Sequence, residues 1–154
     1  MGKWTCLMVN EILKKFPKSK DYLLEILHEL QNNDPKQYIS AENIRAIAQH
    51  LNICQSQVYG VVGYYSMLSA KPRGKNLIRV CNSPVCKMIG SEHTINHLTK
   101  KLKVQLGGTT TDGKFTVEEC ECLGNCSQAP SLMVNSKLYG NLTSESLDDL
   151  LKEF

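Results

Sequence analysis

The stretch Cys122-Leu123-Gly124-Asn125-Cys126-Ser127-Gln128-Ala129-Pro130 sets two thiols three residues apart, across a turn that contains Gly124. Upstream, Cys81-Asn82-Ser83-Pro84-Val85-Cys86 sets a second pair, with four residues between its thiols. Leu77-Ile78-Arg79-Val80 is a short apolar run typical of a strand and leads into Cys81, and Phe115 to Cys120 reads as a second strand, with Cys122 at its end. Both pairs are therefore expected at strand ends on one rim of a domain, with Cys86 just before the next helix. Four thiolates on such a rim suit an inorganic core that takes two per iron, as [2Fe–2S] does. They also satisfy the ligand chemistry of tetrahedral zinc, although paired zinc ligands most often enclose only about two residues. Spacing alone leaves both open. A thiol–disulfide enzyme would need a Cys-x-x-Cys pair at a helix N-terminus to lower a thiol pKa, and no pair here has that spacing.

Outward from these loops, Lys71-Pro72-Arg73-Gly74-Lys75 is basic, breaks helix and marks a boundary. After it come a strand at Asn76 to Cys81 and a helix at Ser91 to Leu102 with Ile95, Leu98 and Leu102 on one side. A Gly/Thr-rich loop and the strand Phe115 to Cys120 follow. Ser131 to Asn135 and Lys137 to Asn141 read as two strands joined at a tight turn. Thr143 to Phe154 is a closing helix with Leu147, Leu150 and Leu151 inward. Strand, helix, strand, strand, strand, helix is the size and order of a thioredoxin-like α/β layer over residues 71–154.

Residues 1–70 read as a small helical bundle. Leu7 to Phe16 is a short helix ended by Pro17. Asp21 to Asn32 carries Leu23, Leu24, Ile26, Leu27 and Leu30 on one face, with Glu25, His28, Glu29 and Gln31 elsewhere. Ser40 caps a helix through Leu51 with Ile44, Ile47, Ala48 and Leu51 inward, and Glu42 in the first turn favours the macrodipole. A turn at Asn52-Ile53-Cys54 leads to a helix from Gln55 to Leu68. This last pair imitates a DNA-binding helix-turn-helix. Yet Gln55 to Ala70 holds no lysine or arginine, and DNA affinity rests on cations at phosphates. Val58, Val61, Val62, Tyr64, Tyr65 and Met67 suit burial against another helix or subunit instead. No nucleic-acid partner is expected.

Composition agrees with a packed soluble protein: 154 residues, 42% apolar, 21% charged, formal charge +3. Seven cysteines without a leader-like apolar run in the first residues point to a reducing, cytoplasmic compartment and to metal or redox chemistry. Met1-Gly2 opens like an acylation start, but Cys6 stands where Ser or Thr is needed. No apolar run approaches the roughly 20 residues that span a bilayer, so no membrane insertion is expected. Cys6 and Cys54 read as ordinary helix residues. His28, His50, His93 and His97 read as surface or helix-face residues outside any ligand cluster.

Cys81-(x4)-Cys86 with Glu121-Cys122-Leu123-Gly124-x-Cys126 and Ala129-Pro130 resembles the thioredoxin-like [2Fe–2S] ferredoxin family. More narrowly, it resembles the 24-kDa-type subunit of respiratory NADH dehydrogenase and its counterparts in NAD(P)-linked or electron-bifurcating hydrogenases and formate dehydrogenases. Val58-Tyr59-Gly60-Val61, Tyr64-Tyr65, Pro72-Arg73-Gly74-Lys75, Asp112-Gly113-Lys114-Phe115-Thr116 and Asn141-Leu142-Thr143 extend the likeness over nearly the whole chain. The resemblance implies that Cys81, Cys86, Cys122 and Cys126 are the ligands of one [2Fe–2S] cluster. It also implies that Pro130 stands where thioredoxin-like folds often carry a cis proline. Cys120 departs from the pattern, where an apolar residue is usual, and reads as a small buried hydrophobe. Gly124 suits a tight loop that needs positive φ, and amides of Leu123 to Ser127 are placed to donate to sulfur.

Such a cluster moves one electron, whereas a nicotinamide gives a hydride, so a flavin must stand between them. No Gly-x-Gly-x-x-Gly or Walker stretch occurs here. The resemblance therefore implies a non-catalytic electron-transfer subunit beside a flavin- and NAD(P)H-binding iron–sulfur subunit, which carries the FMN, with a further catalytic subunit in the complex. The helical half would dock, with Tyr64, Tyr65 and Pro72 to Lys75 near the interface. The competing reading is a zinc-stabilised interaction module with no redox role.

Overall fold

The computed structural model describes the backbone of residues 3–154 and side chains from Met8 onward. Met1 and Gly2 lie outside the described residues, and so does the side chain of Cys6. The chain forms two compact units, the first ending at Pro72 and the second running Arg73–Phe154.

The first unit holds α1 (Lys3–Lys14), α2 (Leu23–Asn33), α3 (Ala41–Leu51) and α4 (Gln55–Tyr64). Ile26, Leu27 and Leu30 of α2 meet Ile44, Ile47, Ala48 and Leu51 of α3 and Val58 and Val62 of α4 in one buried cluster. Ser40 caps α3 by accepting from Asn43 N at 3.1 Å. Asn52 ends that helix at φ 53°, a left-handed conformation that asparagine tolerates. Cys54 is the residue that caps α4, outside its helical turns, because its backbone N–H donates to Gln57 Oε1 at 3.1 Å.

Gln31 lies inside, 5% exposed, although its place on α2 reads as polar surface. Its amide donates to Met67 O at 2.9 Å and accepts from Ser69 N at 2.8 Å. α4 stops at Tyr64 and not at Leu68, because the backbone turns extended at Tyr65, φ −84° and ψ 112°. The segment that follows is held by Gln31 through Met67 O and Ser69 N, and Ser69 O accepts from Ile39 N at 2.8 Å, so these backbone groups are paired outside a helix.

The second unit is a four-stranded sheet ordered β2-β1-β3-β4. Its strands are β1 (Asn76–Cys81), β2 (Phe115–Cys120), β3 (Leu132–Val134) and β4 (Lys137–Tyr139). β1 and β2 are parallel, with Ile78 opposite Val117 and Cys81 opposite Cys120. β3 runs antiparallel to β1, and β4 to β3. The chain crosses from β1 to β2 through α5 (Pro84–Ile89) and α6 (Ser91–Leu102), and closes with α7 (Ser144–Lys152). Ile78, Val80, Phe115, Val117, Leu132 and Val134 form one sheet face and pack on Leu98 of α6 and on Leu147 and Leu150 of α7. His97 of α6 and Asp148 of α7 pair at 2.8 Å, and Thr143 caps α7 by accepting from Ser146 N at 3.2 Å. This is the expected α/β layer, with α5 added. Pro84 sits at the first turn of α5 and Gly90 ends it at φ 119°; proline is preorganised for the start of a helix and glycine for its end.

The segment entering β1 is fixed to β2. The Arg73 side chain, 3% exposed, grips Glu118 with Nε to Oε1 at 2.8 Å and a terminal nitrogen to Oε2 at 2.9 Å. Gly74 N donates to Thr116 Oγ1 at 2.6 Å. A Cβ on Gly74 would stand 2.8 Å from the Phe115 carbonyl carbon, so only glycine fits this approach. Gly74→Ala is expected to destabilise the chain by about 1–3 kcal/mol. Gly60→Ala, in α4 with nothing within 4 Å of its added Cβ, should instead be neutral or stabilise by up to about 1 kcal/mol. Urea unfolding followed by circular dichroism reads both, and equal effects would refute this account of Gly74.

Candidate metal centre

Parallel pairing of β1 and β2 puts their C-terminal ends side by side, and antiparallel β3 begins at that same end. Cys81 is the last residue of β1. Its N–H donates to Ser131 O at 3.1 Å, and Asn82 N donates to Cys120 O at 3.0 Å. Three chain segments are thereby tied together at one rim. Cys86 lies in the middle of α5 and is fully buried, whereas the sequence suggests a loop position before a helix. Cys122 stands two residues past the end of β2, not at its end, because the strand pairing finishes at Cys120. Cys126 opens a short 3-10 turn, Cys126–Gln128.

The thiols stand in two pairs. Cys122 Sγ and Cys126 Sγ are 3.6 Å apart, and both residues are exposed. Cys81 and Cys86 are both buried, and Cys86 lies near enough to act on the Cys81 thiol. The two loops come close: the Leu123 N–H is near enough to the Cys81 sulfur to lower its thiol pKa, and Gly124 N donates to Cys122 Sγ at 3.5 Å. Gly124 adopts φ 76°, the positive φ expected for this turn. Among the described residues, no group of three or more His, Cys, Asp or Glu side chains is arranged as ligands of one ion.

Burial pushes the Cys81 thiol up, but Ser83, Leu123 and Cys86 hydrogen-bond to it and hold it below the ordinary thiol range. Cys126 is pushed up by its hydrogen bond to Cys122 and then by the charge on that neighbour, with Cys86 and Cys81 adding to it. Each thiolate formed makes the next harder to form, as expected where like charges gather for a cation to neutralise. Cys120 lies opposite Cys81 in the sheet. Burial first, then the charge of Cys81, raise its thiol to about 11. It therefore stays a protonated, half-buried side chain beside the site.

Three contributors escape a reading of the sequence. Ser83 Oγ is 3.2 Å from Cys81 Sγ, and Ser131 Oγ is 3.6 Å from Cys86 Sγ. Ser83 could have been suspected from its place inside the first cysteine loop; Ser131 joins only through the sheet. The third is Gly140, whose added Cβ would fall 2.5 Å from Gln128 Cβ and 2.7 Å from Asn125 Nδ2. The second cysteine loop thus lies directly on the backbone of Gly140, and Asn141 N donates to Gln128 O at 2.7 Å. The Ala129–Pro130 bond is cis. The histidines stand apart from the thiols: His50 bonds Phe16 O, His93 bonds Ser144 and His97 bonds Asp148.

The donor set fits an iron–sulfur core. It consists of thiolates alone, two from each loop, with backbone and hydroxyl groups aimed at sulfur. Comparison with known proteins gives the same direction. The family model for the thioredoxin-like [2Fe-2S] ferredoxin matches residues 9–154. The chain is 32% identical over 146 residues to the NADP-reducing hydrogenase subunit HndA of Solidesulfovibrio fructosivorans, covering 95% of this chain and 84% of that one. It is 35% identical over 146 residues to an NADH-quinone oxidoreductase subunit of Aquifex aeolicus, covering 95% and 90%. In the air-oxidised NAD+-reducing [NiFe]-hydrogenase, a chain superposes with a TM-score of 0.74 at 20% identity. That match covers 88% of this chain and 23% of the other, longer one, and is a likeness of fold. With its family model matched from residue 9 to the last residue, this chain belongs to the thioredoxin-like [2Fe-2S] ferredoxin family.

Proposed function

We propose that Cys81, Cys86, Cys122 and Cys126 hold one [2Fe–2S] cluster, and that the chain is an electron-transfer subunit of an NAD(P)H-dependent oxidoreductase complex. The observation that carries this reading is the rim itself, where two loops present two thiol pairs, one buried and one exposed. When bound, the cluster supplies storage for a single electron. Cys81 and Cys86, which are buried, and Cys122 and Cys126, which are exposed, would hold it. Ser83, Ser131 and the Leu123 amide offer hydrogen bonds to ligand sulfur, which favour the more negative state.

The relatives named above support a hydrogenase or a respiratory NADH dehydrogenase as the complex; a formate dehydrogenase is the third member of this class. The partner in this proposal carries the FMN and the NAD(P)H site, because a hydride must be split into single electrons before it reaches this chain. The proposed compartment is the cytoplasm; among the described residues no helix is long and apolar enough to cross a membrane.

Two surfaces are proposed for docking. On the second unit, Val85, Met88 and Ile89 of α5 are exposed around buried Cys86, with Met88 86% open. Apolar side chains next to exposed ligand loops suit a dry contact that brings a redox partner close. On the first unit, Tyr64 is 83% exposed and stacks edge-on against Tyr65. Arg73 and Gly74 are withdrawn from the expected interface, since both are buried against β2.

Anaerobically purified protein is expected to be brown, with visible absorption bleached by dithionite and close to two irons per chain. A colourless chain loaded with zinc would establish the structural reading instead. Replacing any one of Cys81, Cys86, Cys122 or Cys126 by Ser should abolish or strongly reduce the bound iron, while Cys120→Ser should keep it. Loss of iron in Cys120→Ser alone would overturn the ligand assignment. Gly140→Ala should push the Asn125 to Gln128 turn aside and reduce iron content without unfolding the sheet, as read by iron analysis beside circular dichroism. Met88→Asp with Ile89→Asp should leave the visible spectrum intact and cut co-purification with the flavin subunit at least tenfold. Undiminished co-purification would remove α5 from the interface.

A further inference from the structure

The face of the sheet away from α6 and α7 carries a cation with no carboxylate of its own. Side chains alternate along a strand, so Arg79 and Cys81 of β1 share this face with Glu118 and Cys120 of β2. Arg79 lies opposite Glu118, and Cys81 opposite Cys120. Glu118 is already held by both prongs of Arg73. Arg79 is therefore left beside a completed ion pair. Its Nε is shut off from solvent and has no hydrogen-bond partner among the described residues. The charged side chains that act on it are Arg73 and Glu118, with the protonated Cys120 beside them. Two arginines and one glutamate leave this face one positive charge in excess, and an arginine keeps its proton.

We propose that Arg79 is a potential-setting residue: its unneutralised guanidinium, one side-chain step along β1 from Cys81, raises the reduction potential of the cluster. The inference rests on the cluster assignment made above. Two residues of strand place Arg79 roughly 6.6 Å along β1 from Cys81, inside the range over which a partly desolvated charge is weakly screened. Four thiolates, two sulfides and two ferric ions sum to about −2, and uptake of one electron takes the site to about −3. A fixed cation favours the second state over the first. Glu119 and Glu121 oppose it, but both sit at or beyond the exposed strand end, where water screens them.

The test is an anaerobic potentiometric titration of the purified chain, read by electron paramagnetic resonance of the reduced cluster. Arg79→Met should shift the midpoint to more negative potential, and Arg79→Lys, which keeps the charge, should restore it. Glu118→Gln, which keeps the shape and removes the carboxylate opposite Arg79, should shift it the other way. A general disturbance of the fold would not produce opposite signs. Normal iron content with an unmoved midpoint in Arg79→Met, or equal shifts in the Met and Lys variants, overturns the proposal. If Arg79→Met does not load iron, Glu118→Gln decides alone, and an unmoved or more negative midpoint overturns it. A wild-type chain without the reduced-cluster signal would remove the cluster assignment itself, and the role of Arg79 with it.

Discussion

Parallel pairing of β1 with β2 is the constraint on which the site depends. Two parallel strands end on the same side, and their outgoing loops have nowhere else to go. Cys81 opposite Cys120 fixes the register, and that register sets the height at which both loops leave the sheet. The antiparallel β3 then brings Ser131 to the same edge. A slip of one residue would turn Cys81 to the face packed on α6 and α7. Strand pairing is thus what brings the two loops, each with its pair of thiols, to one rim of the sheet.

The surroundings hold that rim rigid from several sides. Arg73 and Gly74 fasten the entry of β1 to Glu118 and Thr116. Gly140 lets the chain after β4 pass directly beneath the second cysteine loop. Thiolates gathered on one rim repel each other, as the raised Cys126 thiol shows, so without a cation between them the loops would tend to part. Backbone amides and hydroxyls aimed at sulfur reduce this cost, and the sheet contacts prevent the loops from separating. The asymmetry of the rim follows from the same architecture. α5 folds Cys86 inward, while the loop after β2 has no helix over it and leaves Cys122 and Cys126 open.

In the first unit, a helix-turn-helix outline proves to be a packing device. α3 and α4 meet through Leu51, Val58 and Val62, and the exposed side of α4 is aromatic and uncharged. One buried amide, Gln31, fastens the segment after α4 by holding Met67 and Ser69. A single polar group on an otherwise apolar helix face is hard to recognise without its partners, since the same residue on a free helix would sit in water.

Local signals in the sequence determined a good deal by themselves. Cysteine spacing, the apolar run before Cys81, Gly124 at a positive-φ turn and Ser40 as a cap are properties of a few adjacent residues, so they can be read without a fold. They were enough for the α/β order and the helical first half, and together with the family resemblance they single out the four cysteines proposed as ligands. The tertiary structure decided what depends on distant partners. α5 was invisible because six residues carry too little periodicity to mark a helix, and only burial of Cys86 against Ser131 reveals its role. Gln31, Ser131 and Gly140 acquire meaning from groups across the fold, at separations no local pattern encodes. The same holds for Arg79: its sequence neighbours say strand, and only the capture of Glu118 by Arg73 leaves its charge unanswered.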